Sequence, residues 1–282
     1  MKKIIYLFLI ALTTLGCSNE VEVIDIPLTS SSNEAKDLFA SDVFAVKTGY
    51  RMSQVLPILD KIYELDSKFY LANALRGSYN NNLNSSEKRQ IITDAYENRN
   101  SVSEIEKALI TSIYEQNVSR NLIKAEAALN DITNKYPDYY YLWLYTGTFQ
   151  NGILLDPAKS ELSWEKALKI DPNNNMAKIL LSQLHYVTTE DFQLLTDDKI
   201  DQDKAISLIE DAEKNDQKNF TYSRLLGNIY RARGEFDKSL DAYSRATSLI
   251  ENKQSSAYKQ TLLISGHSYL FKEEYEKTRE IY

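Results

Sequence analysis

A pattern of small and aromatic residues recurs along the second half of this chain and limits what it can become. After Leu226 come Gly227, Tyr230, Gly234, Phe236, Ser239, Tyr243 and Ala246, and the next stretch repeats the theme with Gly266, Tyr269, Tyr275, Thr278 and Tyr282. A unit that recurs in this way is one supersecondary element that cannot bury its apolar face alone and stacks on its neighbours. Gly227 and Ala246 fall where two helices cross closely and larger side chains would clash. Tyr230, Phe236 and Tyr243 fill the space between layers. Gly234 ends the first helix with its permissive backbone.

The same register runs upstream. Trp143 and Gly147 open a pair that Trp164, Ala167 and Pro172 close, and Pro172 stops one helix and starts the next unit. Pro137 does the same for Ala125, Leu129 and Ile132. Ala205, Ile209 and Ala212 mark another second helix, separated from its first helix by an insertion, Thr188 to Asp201. Leu59, Ile62 and Leu65 read as a second helix, Gly77 sits at the next close crossing, and Asn80 to Asn100 reads as polar and irregular. With only 8 Gly and 5 Pro, the chain is short of the turn residues a sheet protein of this size needs, so it reads as all-α.

These residues, in this order, resemble the tetratricopeptide repeat consensus. The resemblance implies a right-handed superhelical solenoid of helix-turn-helix pairs over residues 34–282, about six and a half units, the second degraded and the last incomplete. Because Tyr282 falls inside a second helix, the chain is expected to be a piece of a longer protein.

The first sixteen residues read as a targeting segment. Lys2 and Lys3 precede an apolar run from Ile4 to Leu15, too short to span a bilayer, and the run ends at Gly16-Cys17, the chain's single cysteine. This arrangement resembles a lipoprotein signal with Cys17 as the acylation site, although Thr14 and Leu15 depart from the usual lipobox. Residues 17–33, with Glu20, Glu22, Asp25 and a Thr-Ser-Ser-Ser stretch, read as a flexible acidic and polar tether. Signal, tether and array together resemble tetratricopeptide lipoproteins of the Bacteroidetes type. The expected location is therefore the cell envelope, lipid-anchored, at the outer membrane.

Chemistry is scarce. A net charge of −7 argues against a nucleic-acid surface. With two histidines, His185 and His267, and no cysteine besides Cys17, no zinc site of the usual kind can be assembled, and His185 falls at a helix-packing position. No phosphate-binding loop, nucleophile elbow or His-Glu-x-x-His pattern occurs. The expectation is a non-enzyme without cofactor or metal, and small-molecule binding is not anticipated.

Binding is the natural use of such a stack, whose inner wall is lined by the first helix of each pair. The resemblance places Arg224, Asn228 and Arg231, then His267, and upstream Gln183, Tyr186 and Tyr141, on that wall. An Arg beside an amide suits a carboxylate, through forked donors and a further hydrogen bond. It resembles part of the clamp by which some tetratricopeptide domains hold a peptide C-terminus, with Ile264 where a polar residue is expected. The opposing reading has Arg224 and Arg231 solvated or paired with acids such as Glu235. Tyr139 and Tyr141 are the tyrosines expected to be exposed. The leading functional expectation is a membrane-anchored scaffold that binds a protein or peptide in its concave groove. The alternatives are the binding arm of a longer protein with its effector part beyond residue 282, and a surface glycan-binding lipoprotein.

Overall fold

The computed structural model of the chain describes residues 26–44, 52–186 and 199–282. Within them lie fourteen α-helices in sequential antiparallel pairs and no strand. The pairs are α1 (Asn33–Leu38, running on into a wider π-helical turn, Phe39–Phe44) with α2 (Met52–Leu65), α3 (Tyr70–Tyr79) with α4 (Ser85–Glu97), and α5 (Glu104–Tyr114) with α6 (Leu122–Lys135). They continue as α7 (Tyr140–Gly152) with α8 (Pro157–Ile170), α9 (Asn175–Leu184) with α10 (Gln202–Asn215), α11 (Phe220–Ala232) with α12 (Phe236–Leu249), and α13 (Ser256–Phe271) with α14 (Tyr275–Ile281). Each helix packs on the next, and α3 also touches α5 as α11 touches α13. The signal segment, Cys17 and most of the insertion from Thr188 lie outside the described residues.

Two kinds of turn repeat. Between pairs, a four-residue turn closes with a backbone bond, as in Phe69 N–H to Asp66 O (3.1 Å), Asn174 to Asp171 (3.0 Å) and Asn219 to Asp216 (3.2 Å). Within pairs, one residue adopts the left-handed conformation just before the cap of the second helix: Arg120 (φ 59°), Leu155 (φ 53°), Gly234 (φ 75°) and Glu273 (φ 61°). The following N–H then reaches back to a carbonyl of the helix just ended, as from Glu235 to Tyr230 (2.9 Å) and Glu274 to Tyr269 (3.0 Å). Only Gly234 announces this conformation in the sequence.

The close crossings fall where the small residues stand. A Cβ on Gly147 would lie 2.5 Å from the Trp164 ring, and one on Gly227 would lie 2.6 Å from the Tyr243 ring. Trp164 and Tyr243 are fully buried, and Trp164 Nε1 donates to Leu144 O at 3.2 Å. The core is correspondingly segmented, one cluster spanning the first three pairs into α7 and two more serving α7 to α12.

Two expectations need correction. The stretch from Asn80 to Asn100, read as irregular, holds the thirteen-residue helix α4. Asn84 and Glu87 start it with reciprocal capping bonds, and a narrow apolar stripe, Ile92 and Ala95, is buried. One aromatic stack, Tyr96 on Tyr114 with centroids 3.8 Å apart, joins it to α5.

The second correction concerns the tether. Residues 26–32 are not free of the array but form a strap packed on it. Ile26 is buried, Ser103 Oγ donates to Pro27 O (2.9 Å), and Thr29 gives its N–H to both oxygens of Glu106 (3.0 Å each) and its hydroxyl to Glu106 Oε2 (2.5 Å). Ser30 Oγ (2.6 Å) and the Ser31 N–H (2.7 Å) donate to Asp66 Oδ2. Burial alone would raise the Asp66 pKa, but the donors from Ser30, Ser31 and Lys68 outweigh it and hold the carboxyl below its ordinary value. Glu106 is wholly buried and doubles as the capping partner of Ser103 at the start of α5.

Candidate functional site

The predicted groove residues separate into a cluster and two outliers. Arg224, Asn228 and Arg231 occupy one face of α11, spaced by about one turn each, and α13 brings His267 against them. Arg231 Nη1 lies 3.2 Å from His267 Nδ1. Tyr186, just past α9, and Tyr243, from α12, complete the cluster through Asn228. The Tyr243 hydroxyl donates to Asn228 Oδ1 at 2.7 Å, and the Tyr186 hydroxyl is hydrogen-bonded to the same side chain. The Tyr282 ring centroid is 6.2 Å from that of His267.

Arg231 is half-buried, and among the described residues its hydrogen-bonding partners are the neutral His267 and Tyr243 rather than a carboxylate. Its Nε is enclosed with no hydrogen-bond partner. Glu235, the acid expected to neutralise it, instead binds Arg233 (2.6 Å) and Lys238 (2.5 Å). Burial and then the Arg231 charge lower the His267 pKa, so the ring is neutral at pH 7 and its Nδ1 accepts from the guanidinium. Burial pushes the Tyr243 phenol up to about 12, against the opposing pull of Arg231. Arg224 adds a second cation, with its guanidinium 5.7 Å from the Phe220 ring centre.

Three predicted roles change. Asn228 does not offer a free amide: Tyr186 and Tyr243 engage it, which makes it a brace holding α9 and α12 to α11. Tyr141 is buried on α7, away from the cluster, and Tyr139 is half-buried against the core, so neither supplies the exposed ring expected of it. Both face inward because α7 is apolar around nearly all of its circumference, from Tyr141 through Phe149. Gln183 is exposed on the last turn of α9, without a described link to Arg231. The resemblance already sets Tyr186 on the inner wall. Sequence reasoning missed Tyr243 as a member, because it had been assigned to packing alone.

His185 is buried and belongs to a different cluster. Its Nδ1 accepts the Asp201 N–H (3.3 Å), which leaves Nε2 to donate to Glu161 Oε1 (2.8 Å). Lys204 bridges Glu161 and Glu165 at 2.8 Å each. The two ends of the insertion are thereby joined. Among the described residues no group of three His, Cys, Asp or Glu is placed to hold a metal ion, and no helix is long and apolar enough to cross a membrane.

Two clefts among the described residues lie between second helices rather than at Arg231. One of about 500 Å³ is lined by Glu210, Glu213, Ser223 and Arg245, and one of about 410 Å³ by Leu240, Thr247, Leu262 and Ile281. Both are open troughs between neighbouring pairs, as a stack of hairpins leaves them.

Comparison with solved structures defines the class. The chain is similar to PilW, a widely conserved type IV pilus biogenesis factor (17% identity, TM-score 0.53, 81% of this chain and 90% of that one). It is similar to a chain of the APC/C hetero-tetramer Cut9–Hcn1 (17%, 0.56, 88% and 44%) and to yeast Tom70 (16%, 0.50, 92% and 55%). The chain spans about half the length of the last two. No protein-family model matches it, and no curated protein does. The fold is that of a tetratricopeptide-like helical repeat protein.

Proposed function

We propose that this chain is a non-catalytic scaffold, held on a membrane by lipid on Cys17, that grips a protein or peptide partner by an acidic group in the groove between α9, α11 and α13. The observation that carries the reading is Arg231, whose charge meets no carboxylate among the described residues. A half-buried cation whose described partners are neutral has unmet attraction for an anion, and low local dielectric strengthens it. The neutral His267 does not compete for the anion. Guanidinium groups match carboxylates in geometry, so a C-terminal carboxylate or an Asp or Glu side chain is the expected contact. A scaffolding use agrees with the similar solved folds of a pilus biogenesis factor and of a chain in a hetero-tetrameric assembly.

Anchoring rests on the sequence. Cys17 is the only cysteine and directly follows the apolar run, and acyl chains contribute about 0.8 kcal/mol per buried CH₂. The expected location is the envelope, at the outer membrane.

The test combines capture and substitution. Full-length protein is purified from its native envelope, the retained partner is identified, and its affinity is measured for wild type, Arg224→Gln and Arg231→Gln. Removing a charge-assisted contact should weaken binding about tenfold or more and flatten its salt dependence. Unchanged affinity in both variants moves the site elsewhere. Intact mass of the purified protein, with or without acyl groups on Cys17, decides the anchor separately.

A further inference from the structure

Five apolar side chains crowd the edge of the stack where the third and fourth pairs turn. Ile123 (82% exposed), Leu155 (78%) and Leu162 (62%) stand almost fully in solvent, flanked by Leu122 and Ile153. Among them α6 and α8 are tied together, Lys159 Nζ binding Glu126 Oε1 at 3.0 Å. Ile123 lies one turn before Glu126 on α6, and Leu162 lies one turn beyond Lys159 on α8.

Folding does not explain these residues. Leu155 occupies the left-handed position that Gly234, Arg120 and Glu273 occupy in other pairs. A left-handed Leu is disfavoured by its Cβ, and here its side chain touches too little to offset that. Ile123 is β-branched and faces solvent on a helix, where a polar residue would serve stability equally well. The cations are also distinctive for a chain of net charge −7. Arg120 and Lys124 stand exposed beside the patch, and the nearby acids, Glu126 and Asp156, are already engaged by Lys159 and by the cap of α8.

We infer that this edge is a membrane-contact surface, with Leu155, Ile123 and Leu162 entering the interfacial region of a bilayer and Arg120 and Lys124 meeting anionic headgroups. Exposed aliphatic tips beside basic side chains are the chemistry of an interfacial anchor. The placement also agrees with the proposed acyl anchor, and this one step rests on that reading. From Ser103, where the strap docks, α5 and its final turn rise about 25 Å to Arg120. The nine peptide units from Cys17 to Ile26 reach about 30 Å, enough for the lipid and the patch to meet the same bilayer.

The test reads position and does not depend on acylation. A full-length Cys17→Ser chain has no other cysteine, so Leu155→Cys or Gln217→Cys in that background takes one polarity-sensitive dye. Gln217 is exposed at the opposite edge, between α10 and α11. With phosphatidylglycerol vesicles, the dye at position 155 should shift to the blue while that at 217 keeps its aqueous spectrum. Phosphatidylcholine vesicles should give little shift at either. Ile123→Gln with Leu162→Gln should raise the vesicle concentration needed for half the shift by about tenfold or more, as expected for withdrawing apolar side chains from an apolar phase. An aqueous spectrum at 155 in saturating phosphatidylglycerol, or an equal shift at 217, overturns the inference. Equal response to both lipids removes the role given to the cations.

Discussion

Adding one methyl group to each of two glycines on the same helix should have opposite effects. At Gly147 the new Cβ would stand 2.5 Å from Cδ1 and Nε1 of Trp164 and 3.1 Å from the carbonyl oxygen of Ser160. Carbon atoms in contact prefer about 3.5–4.0 Å, so the indole would have to retreat by roughly 1 Å. It has nowhere to go, being 1% exposed, and moving would break its 3.2 Å bond to Leu144 O. Overpacking of this kind costs about 1–3 kcal/mol, and a lost buried hydrogen bond about another 1 kcal/mol. Gly147→Ala should therefore destabilise the fourth pair by about 2–4 kcal/mol. At Gly152, the last residue of the same helix, a Cβ meets nothing within 4 Å and φ is ordinary. Gly152→Ala should be neutral or stabilising by up to about 1 kcal/mol, through the lost freedom of the unfolded chain. Urea unfolding followed by tryptophan emission reports this pair directly, because Trp143 and Trp164 both lie in it. If the two variants unfold within about 0.5 kcal/mol of each other, the close-crossing account of these small residues is wrong.

Other outcomes follow from the same geometry. Gly266→Ala should cost less than Gly147→Ala, because its nearest neighbour at 3.1 Å is the exposed Tyr282 ring, which can give way; the same urea series checks this. His267 is held neutral in the fold, so the unfolded chain binds its proton more readily. The stability it contributes is present above its ordinary pKa of 6.5 and falls as pH drops below that value; His267→Gln should remove this part of the slope. Asp66 has the opposite chemistry but the same direction of loss. Its depressed pKa means that strap stability is present above 3.8 and is lost as acid protonates the carboxyl, seen as faster hydrogen exchange at Ser31. Lys178, buried with its Nζ 2.6 Å from Asp211 Oδ2, holds that acid below its ordinary pKa. Lys178→Met should move the Asp211 titration toward normal by NMR and change stability little, since the exposed Asp211 carboxylate stays hydrated and Met fills the space of the buried lysine stem.

The architecture could be read from sequence wherever a packing rule leaves a periodic trace. Gly147 with Trp164 and Gly227 with Tyr243 are the two clearest examples. Each small residue and its aromatic partner belong to one hairpin, so their spacing recurs. What could not be read lacks periodicity. The strap is held by bonds from Thr29 to Glu106 and from Ser30 to Asp66, 77 and 36 residues away, and a Thr-Ser-Ser-Ser run looks the same whether it is solvated or docked. The left-handed turns at Arg120, Leu155 and Glu273 are imposed by hairpin geometry on residues that carry no mark of it. Helix α4 was obscured because its buried stripe is only one residue wide at Ile92 and Ala95. For the site, the shared face of Arg224, Asn228 and Arg231 on α11 followed from helical spacing. The loss of Asn228 to Tyr186 and Tyr243 did not, because it depends on three helices meeting.

The strap changes how such an array gives way. A plain stack of hairpins couples only neighbours, so either end can peel first. Here residues 26–32 cross from the junction at Asp66 to the cap of α5, fastening the first three pairs across a range that neighbour contacts do not span. Under load or heat, unravelling should therefore begin from the far end and stop at this buckle. The N-terminal third then behaves as the fixed root of a cantilever, and α9 to α14, where Arg231 lies, as its compliant arm.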